Sequence, residues 1–247
     1  MRRIFVCLLI TIHAIIAVSQ NSPEDETAAI DSILELSFQS YAYMDINSSL
    51  SHALDARVMS EKINYSKGKP RGNFYIAQVM ANLGEYEKAL DYLFLAEQEP
   101  FVATELILPS EICRVRGRTY GALQLYDMAV AEFHKGLEYV NQINTTFERE
   151  YLTSLAYDNL SHTYFLQKKP DSAIYYLNKN NRLLTASSEE RLFRNRINLY
   201  AQLGKAHAQN SEYDEATNYF VQALKLAEEY EYPYTSWIYL QWGNMMS

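Results

Sequence analysis

Cysteine, proline and glycine are all scarce in this chain, at two, six and eight of 247 residues. Cys7 lies within an N-terminal apolar stretch, which leaves Cys113 without a partner and excludes a disulfide framework. So little glycine and proline argues against a turn-rich β-sandwich and against collagenous or low-complexity classes. Positive charge is also in deficit: 22 Lys and Arg stand against 30 Asp and Glu, for a net charge of −8. A general nucleic-acid binder needs a basic face to displace counterions, so no nucleic-acid partner is expected. Signature motifs of catalysis are missing too. The chain has no Gly-x4-Gly-Lys-Ser/Thr, His-Glu-x2-His, Cys-x2-Cys or Gly-x-Ser-x-Gly. The expectation is a non-enzyme with no cofactor and no metal. What is abundant is hydrophobic residues, at 48%, and tyrosine, at 21 copies, enough for a substantial core.

The only long apolar run is Ile4–Val18, broken by Thr11 and His13 and preceded by Arg2-Arg3. It ends in Ala17-Val18-Ser19, with small residues three and one before Gln20. Basic start, short apolar stretch and small-x-small end are the parts of a secretory signal peptide. The run is shorter than the roughly 20 residues of a bilayer span. Residues 1–19 are therefore expected to be cleaved, placing the mature chain in the periplasm or outside the cell. Membrane association is expected only if the signal stays uncleaved or the full protein is longer. Loss of Arg2 and Arg3 would leave 20 basic residues against 30 acidic ones, a net charge of −10.

Self-similarity organises the remainder. Four segments align: Ala77-x6-Gly84-Glu85-Tyr86-x2-Ala89, Gly117-x2-Tyr120-x5-Tyr126-x2-Ala129, Ser161-x2-Tyr164-x8-Ala173 and Gly204-x2-His207-x5-Tyr213-x2-Ala216. A fainter copy precedes them, with Ile33, Leu36, Ser37, Ser49, Ala53 and Ala56 in the corresponding places. This pattern resembles the tetratricopeptide repeat (TPR), a pair of antiparallel helices with a period of about 34 residues. In that register, position 8 holds Ser37, Ala77, Gly117, Ser161 and Gly204, and position 20 holds Ser49, Ala89, Ala129, Ala173 and Ala216. The spacings between position-20 residues are 40, 40, 44 and 43, so helices or linkers are longer than usual. All ten residues are small, as required where two helices cross closely.

The resemblance implies an all-α, right-handed superhelical solenoid of about five helix pairs plus a terminal helix, occupying residues 20–247. Repeats are expected near 30–63, 70–98, 107–142, 147–184 and 188–230, with a partial sixth at 234–247. The first helix of the fifth pair is expected to run from 188, and Gln98–Pro109 is the longest linker. Three departures mark expected weak points: Asn180 for a small residue at position 27, Arg116 for Leu at position 7, and Pro170 for Tyr at position 17. Looser packing is expected around the fourth repeat. The last segment, carrying Trp237, Tyr239 and Trp242, reads as the first helix of a sixth repeat: either a cap with aromatic contacts or, as the preferred expectation, a sign that the chain is the front part of a longer protein. His207 and Cys113 fall on packing positions and are expected to be structural.

In TPR proteins the first helices line a concave groove. Here the resemblance assigns Arg71, Gln78, Asn82, Arg114, Arg118, Asn159, His162, Gln202 and Lys205 to that lining. Asp158 and Asn198 fall on the same strip. The lining is neutral to basic although the chain is acidic. Arginine suits carboxylates, and Asn and Gln suit peptide backbone amides. The expected partner is a protein or peptide, acidic or with a free C-terminal carboxylate. Arg114 and Arg118, four apart on one helix, are expected to bind the carboxylate, with Asn159 and Gln202 holding the backbone. The chaperone-binding carboxylate clamp of the family is incomplete, because Arg118 stands for Asn and Asn198 and Gln202 stand for its last two basic residues. The implied role is the sensory or scaffold part of a periplasmic or membrane-linked signalling protein, similar to exported TPR regions of Gram-negative signal transducers. The alternative is a complete secreted or periplasmic scaffold or assembly factor.

Overall fold

A computed structural model describes residues 22–246. The expected signal peptide at 1–19 lies outside the described residues. Among these residues there are eleven α-helices and no strand. Five antiparallel pairs follow one another: α1 (Pro23–Ala42) with α2 (Ile46–Lys62), α3 (Gly68–Asn82) with α4 (Tyr86–Glu97), α5 (Ile107–Ala122) with α6 (Tyr126–Val140), α7 (Thr146–Leu166) with α8 (Pro170–Ala186), and α9 (Phe193–Gln209) with α10 (Tyr213–Glu229). A last helix, α11 (Ser236–Met246), packs on α9 and α10. The chain is the right-handed solenoid expected from its repeats.

All ten small residues at the helix crossings are buried. In the first pair the Ser37 hydroxyl donates to the Ser49 carbonyl at 2.9 Å, so the two backbones nearly touch. A Cβ added to Gly117 would lie 2.5 Å from the Phe133 ring, and one added to Gly204 would lie 3.1 Å from the Ala216 carbonyl. The small-residue rule is thus steric, enforced by a ring at one crossing and by backbone at another.

Every turn inside a pair has one geometry. Met44, Gly84, Gln124, Lys168 and Ser211 take the left-handed conformation, with φ between 58° and 80°. The next residue donates back five positions: Asp45 to Ser40, Glu85 to Met80, Leu125 to Tyr120, Lys169 to Tyr164 and Glu212 to His207, at 2.9–3.0 Å. These are Schellman turns, which satisfy carbonyls at the helix end. Only one of the five uses glycine, so glycine does not mark the turn in this sequence.

The first pair begins at Pro23, ahead of the repeat expected near 30–63, because Ser22 and Asp25 form a capping box. The fifth pair begins at Phe193 rather than 188, because residues Glu190–Leu192 form a 3₁₀ turn with Leu192 buried beneath it. That segment is clasped by Arg196, whose guanidinium donates to the carbonyls of Leu184, Ser187 and Glu189 at 2.8–3.3 Å. The long linker is likewise ordered by its contents: Pro100–Thr104 forms a 3₁₀ turn that places Val102 in the core with Phe74 and Ile112.

The three departures from the repeat resolve differently. Pro170 opens α8 at its first turn, where a missing amide proton does no harm. Arg116 reaches Glu97 at 2.6 Å and Glu132 at 3.6 Å, while Lys135 joins Glu97 at 3.2 Å, so a mostly buried ion network replaces leucine packing. Asn180 is 2% exposed and donates to the Ser154 carbonyl at 3.4 Å, with its Oδ1 left without a partner. Asn195 donates to the Ser154 hydroxyl at 3.0 Å. The fourth and fifth repeats therefore meet across a buried polar seam.

Cys113 is buried, and burial pushes its thiol up to about 12, which keeps it protonated and inert. His207 stacks on Tyr219 and pairs with Glu212 at 2.6 Å, a packing role. In α11, Ile238 is fully buried against Ala223 and Ala227, and Trp242 stacks over Phe220. A Cβ on Gly243, at the crossing position, would meet nothing within 4 Å.

Candidate functional site: the concave strip

Successive first helices, α1, α3, α5, α7, α9 and α11, pack directly on one another, while the second helices are spread apart. The first helices therefore form the inner, concave layer. Their exposed residues lie along one strip, and near the ends of α1, α3 and α5 the strip deepens into a cavity of about 240 Å³. Tyr41, Gln78, Asn82, Arg118 and Thr119 line it, with Ala81, Val115 and Ala122 as apolar walls. Three of the residues expected in the groove, Gln78, Asn82 and Arg118, thus come together here.

Arg118 also faces the next two repeats. Its charge and that of Lys205 bear on His162, whose pKa is lowered by desolvation first and by these two cations second. His162 keeps contact with solvent, so its desolvation reflects a place low in a concavity rather than in the core. Arg118 is exposed and Lys205 half-buried, and neither has an ion-pair partner among the described residues. Asp158 sits on the same strip. Desolvation pushes its carboxyl up to about 6, against hydrogen bonds from Asn198 and Gln202 and the Arg118 charge.

Other expected lining residues are occupied by the protein itself. Arg114 donates to Glu111 through both Nε, at 2.9 Å, and a terminal nitrogen. Burial opposes the Arg114 charge, but Glu111 outweighs it, so the guanidinium pKa rises. The expectation that Arg114 and Arg118 share a ligand carboxylate is corrected accordingly: α7 closes over Arg114, whose surroundings include Leu152 and Ala156. Asn159 donates to the Leu155 carbonyl of its own helix at 2.6 Å. Gln202 donates to Asp158. The amide nitrogens expected to hold a peptide backbone are therefore both engaged. Arg71 lies in the first turn of α3 and reaches Glu105 at 3.5 Å, away from the cavity.

Tyr41, like Thr119, lines the cavity without having been singled out by the repeat register. The Asn82 amide donates to its hydroxyl at 3.4 Å. Its contribution comes from the faint first repeat, where few landmark residues set the alignment. Among the described residues there is no group of His, Cys, Asp and Glu arranged to hold a metal, and no helix is long and apolar enough to cross a membrane.

The sequence profile of the tetratricopeptide repeat matches residues 197–230, the fifth helix pair. No curated protein matches the chain. Several solved structures share the fold. BtubC (BKLC) from P. vanneervenii superposes with a TM-score of 0.64 at 15% identity, covering 85% of this chain and 84% of that one. NprR in complex with its cognate peptide NprX gives 0.66 at 12% identity, covering 90% of this chain and 60% of that one. The apo form of RapI gives 0.54 at 15% identity, covering 86% and 87%. Both the profile and the superpositions identify a TPR-type solenoid.

Proposed function

We propose that this TPR-type solenoid is an exported, non-catalytic module that binds an extended peptide segment along its concave strip. An acidic side chain or C-terminal carboxylate of the ligand would be seated by Arg118 and Lys205. The observation that carries this reading is the pair of cations without ion-pair partners, flanking His162 on the inner face of an acidic protein. Other arginines of the first helices are engaged within the protein: Arg114, Arg116 and Arg71 by Glu111, Glu97 and Glu105, Arg149 and Arg196 by backbone carbonyls, and Arg194 by the Phe193 and Tyr232 rings. The Arg118 charge bears on Asp158 without forming an ion pair with it, and charge complementarity favours an anionic occupant beside the two cations. Among the structural neighbours, NprR holds a peptide, which supports the capacity of such a stack to do so.

The charge balance of the strip also sets a pH dependence. Protonating His162 and neutralising Asp158, which titrates near pH 6, both favour an anion. Binding should strengthen as pH falls from 7.5 to 5.5. Export rests on Arg2-Arg3, the Ile4–Val18 run and the Ala17-Val18-Ser19 end. Mass spectrometry of protein from the native host should find a chain starting at Gln20, outside the cytoplasm. With export, the module would serve as the sensory or scaffold part of a periplasmic signalling system.

The test of the groove is a random-peptide library panned on the purified protein beside Arg118→Gln/Lys205→Gln. Charge-assisted hydrogen bonds are worth about 1.5–3 kcal/mol each, so selected acidic peptides should bind the double variant at least about tenfold more weakly. Equal binding by both proteins would remove the groove reading.

A further inference from the structure

The cavity between α1, α3 and α5 contains a feature that an anion site does not need. Gln78 is 8% exposed, lines the cavity, and has no hydrogen-bond partner among the described residues. Water still reaches its amide through the cavity, and a ligand that displaced that water without replacing its hydrogen bonds would cost about 1–3 kcal/mol. The Thr119 hydroxyl, which could have served, donates instead to the Val115 carbonyl at 2.9 Å. Beside Gln78, the Asn82 amide is tied only loosely to the Tyr41 hydroxyl, at 3.4 Å. The hydroxyl proton of Tyr41 and the carbonyl oxygen of Asn82 remain free to meet a ligand.

We infer that this cavity is a side-chain pocket for a neutral carboxamide, an Asn or Gln of the bound peptide, and that Gln78 recognises it. The inference rests on the peptide-binding reading for its biological setting, though not for its chemistry. A primary amide offers one donor face and one acceptor face, and Gln78 offers the complementary two, so a paired double hydrogen bond satisfies both groups. Asn82 and Tyr41 lie at hand for the remaining lone pair and proton. A carboxylate would pair with only the donor half of Gln78 and would be drawn instead to Arg118 on the cavity wall, leaving the Gln78 carbonyl oxygen unmatched. Leucine would leave Gln78 unsatisfied. The cavity volume of about 240 Å³ accommodates a side chain of this size. Arg118, which also lines the cavity, would join the carboxamide pocket to the anionic strip.

The experiment uses three capped amino acids as probes: N-acetyl-glutamine, N-acetyl-glutamate and N-acetyl-leucine N-methylamides. Each is titrated into isotope-labelled protein, and the side-chain amide signals of Gln78 and Asn82 are followed by NMR. The Gln78 signals are assigned by their loss in Gln78→Leu. The glutamine probe should give a saturable shift at Gln78 and bind about tenfold more tightly than the leucine probe. Asn82→Ala, at an exposed position that folding tolerates, should weaken the glutamine probe while leaving the melting temperature unchanged. A Gln78 signal unmoved by the glutamine probe, or moved equally by glutamate or leucine, overturns the inference. Because the glutamine probe is neutral and is read at the Gln78 amide, not at Arg118 or Lys205, the outcome is separable from the library result. Acidic peptides that bind with no Asn or Gln preference, alongside a silent Gln78, would leave the groove standing and remove the pocket.

Discussion

The junction between the second and third repeats and that between the fourth and fifth occupy equivalent places in the solenoid, yet they are built differently. Both rest on an apolar core. Leu93, Ala96, Val102, Ile112 and Val115 form the first, and Leu177, Leu184, Leu192, Leu199 and Leu203 the second. Beside the first core lies the Glu97–Arg116–Glu132–Lys135 network, four charges that match one another. Beside the second lie Ser154, Asn180 and Asn195, with Asp158 held by neutral amides rather than by a salt bridge. A repeat register prescribes where helices touch. It leaves the choice of what fills the flanks to other demands.

The two choices carry opposite responses to pH. Burial would raise the Glu97 carboxyl, but its bonds to Arg116 and the charge of Lys135 outweigh that and hold it below the ordinary range. A lowered carboxyl contributes stability above its unfolded pKa and loses it as pH falls through the folded value. Asp158 is raised to about 6, from an ordinary 3.8. It contributes its stability below the ordinary value and loses it as pH rises through about 6. Acid should therefore loosen the second–third junction and base the fourth–fifth.

The strongest challenge to this contrast is Arg116→Ala. It strands Glu132 and leaves Glu97 with Lys135 alone, and denaturation at pH 7 should show a loss of about 3 kcal/mol. The loss should shrink below pH 4, as the carboxylates protonate. A pH-independent loss would mean that Arg116 acts by packing alone. Next in size, Ala173→Leu overpacks the α7–α8 crossing and should cost about 1–3 kcal/mol. An unchanged melt would show that the fourth repeat has slack. Asp158→Asn should raise stability at pH 7.5 by on the order of 1–2 kcal/mol, with almost no effect at pH 4. Hydrogen exchange should assign that gain to α7 and α9. A gain equal at both pH values would contradict the desolvation account. The smallest effect compares turns: Gly84→Ala should lose about 1 kcal/mol, whereas Lys168→Gly should gain about 0.5–1, since both positions are left-handed. Opposite signs in thermal melts are expected.

Most helix boundaries could be read from the sequence, because crossing positions admit only small side chains and recur in register. Where residues escaped that reading, the cause was local or lay in a neighbouring repeat. The start of α9 was displaced by a 3₁₀ turn held by Arg196, whose partners are carbonyls and leave no trace in side-chain pattern. Gly84 marks its turn, but Met44, Gln124, Lys168 and Ser211 make the same turn without glycine.

By itself, the amino-acid sequence determined the repeat and the register of its crossings, because sterics at a helix crossing act on each position independently; the all-α solenoid and the identity of its inner helices followed from the resemblance to the tetratricopeptide repeat. The state of the groove was decided by tertiary structure. Arg114 and Arg118 are one turn apart on one helix, but the first is paired with Glu111 beneath α7 and the second remains without an ion-pair partner. Gln78 and Asn159 are both groove amides, but only Asn159 has a carbonyl at hand. Whether a polar group is matched depends on what the adjoining repeats bring within about 3 Å, and that distance exists only once the repeats have stacked.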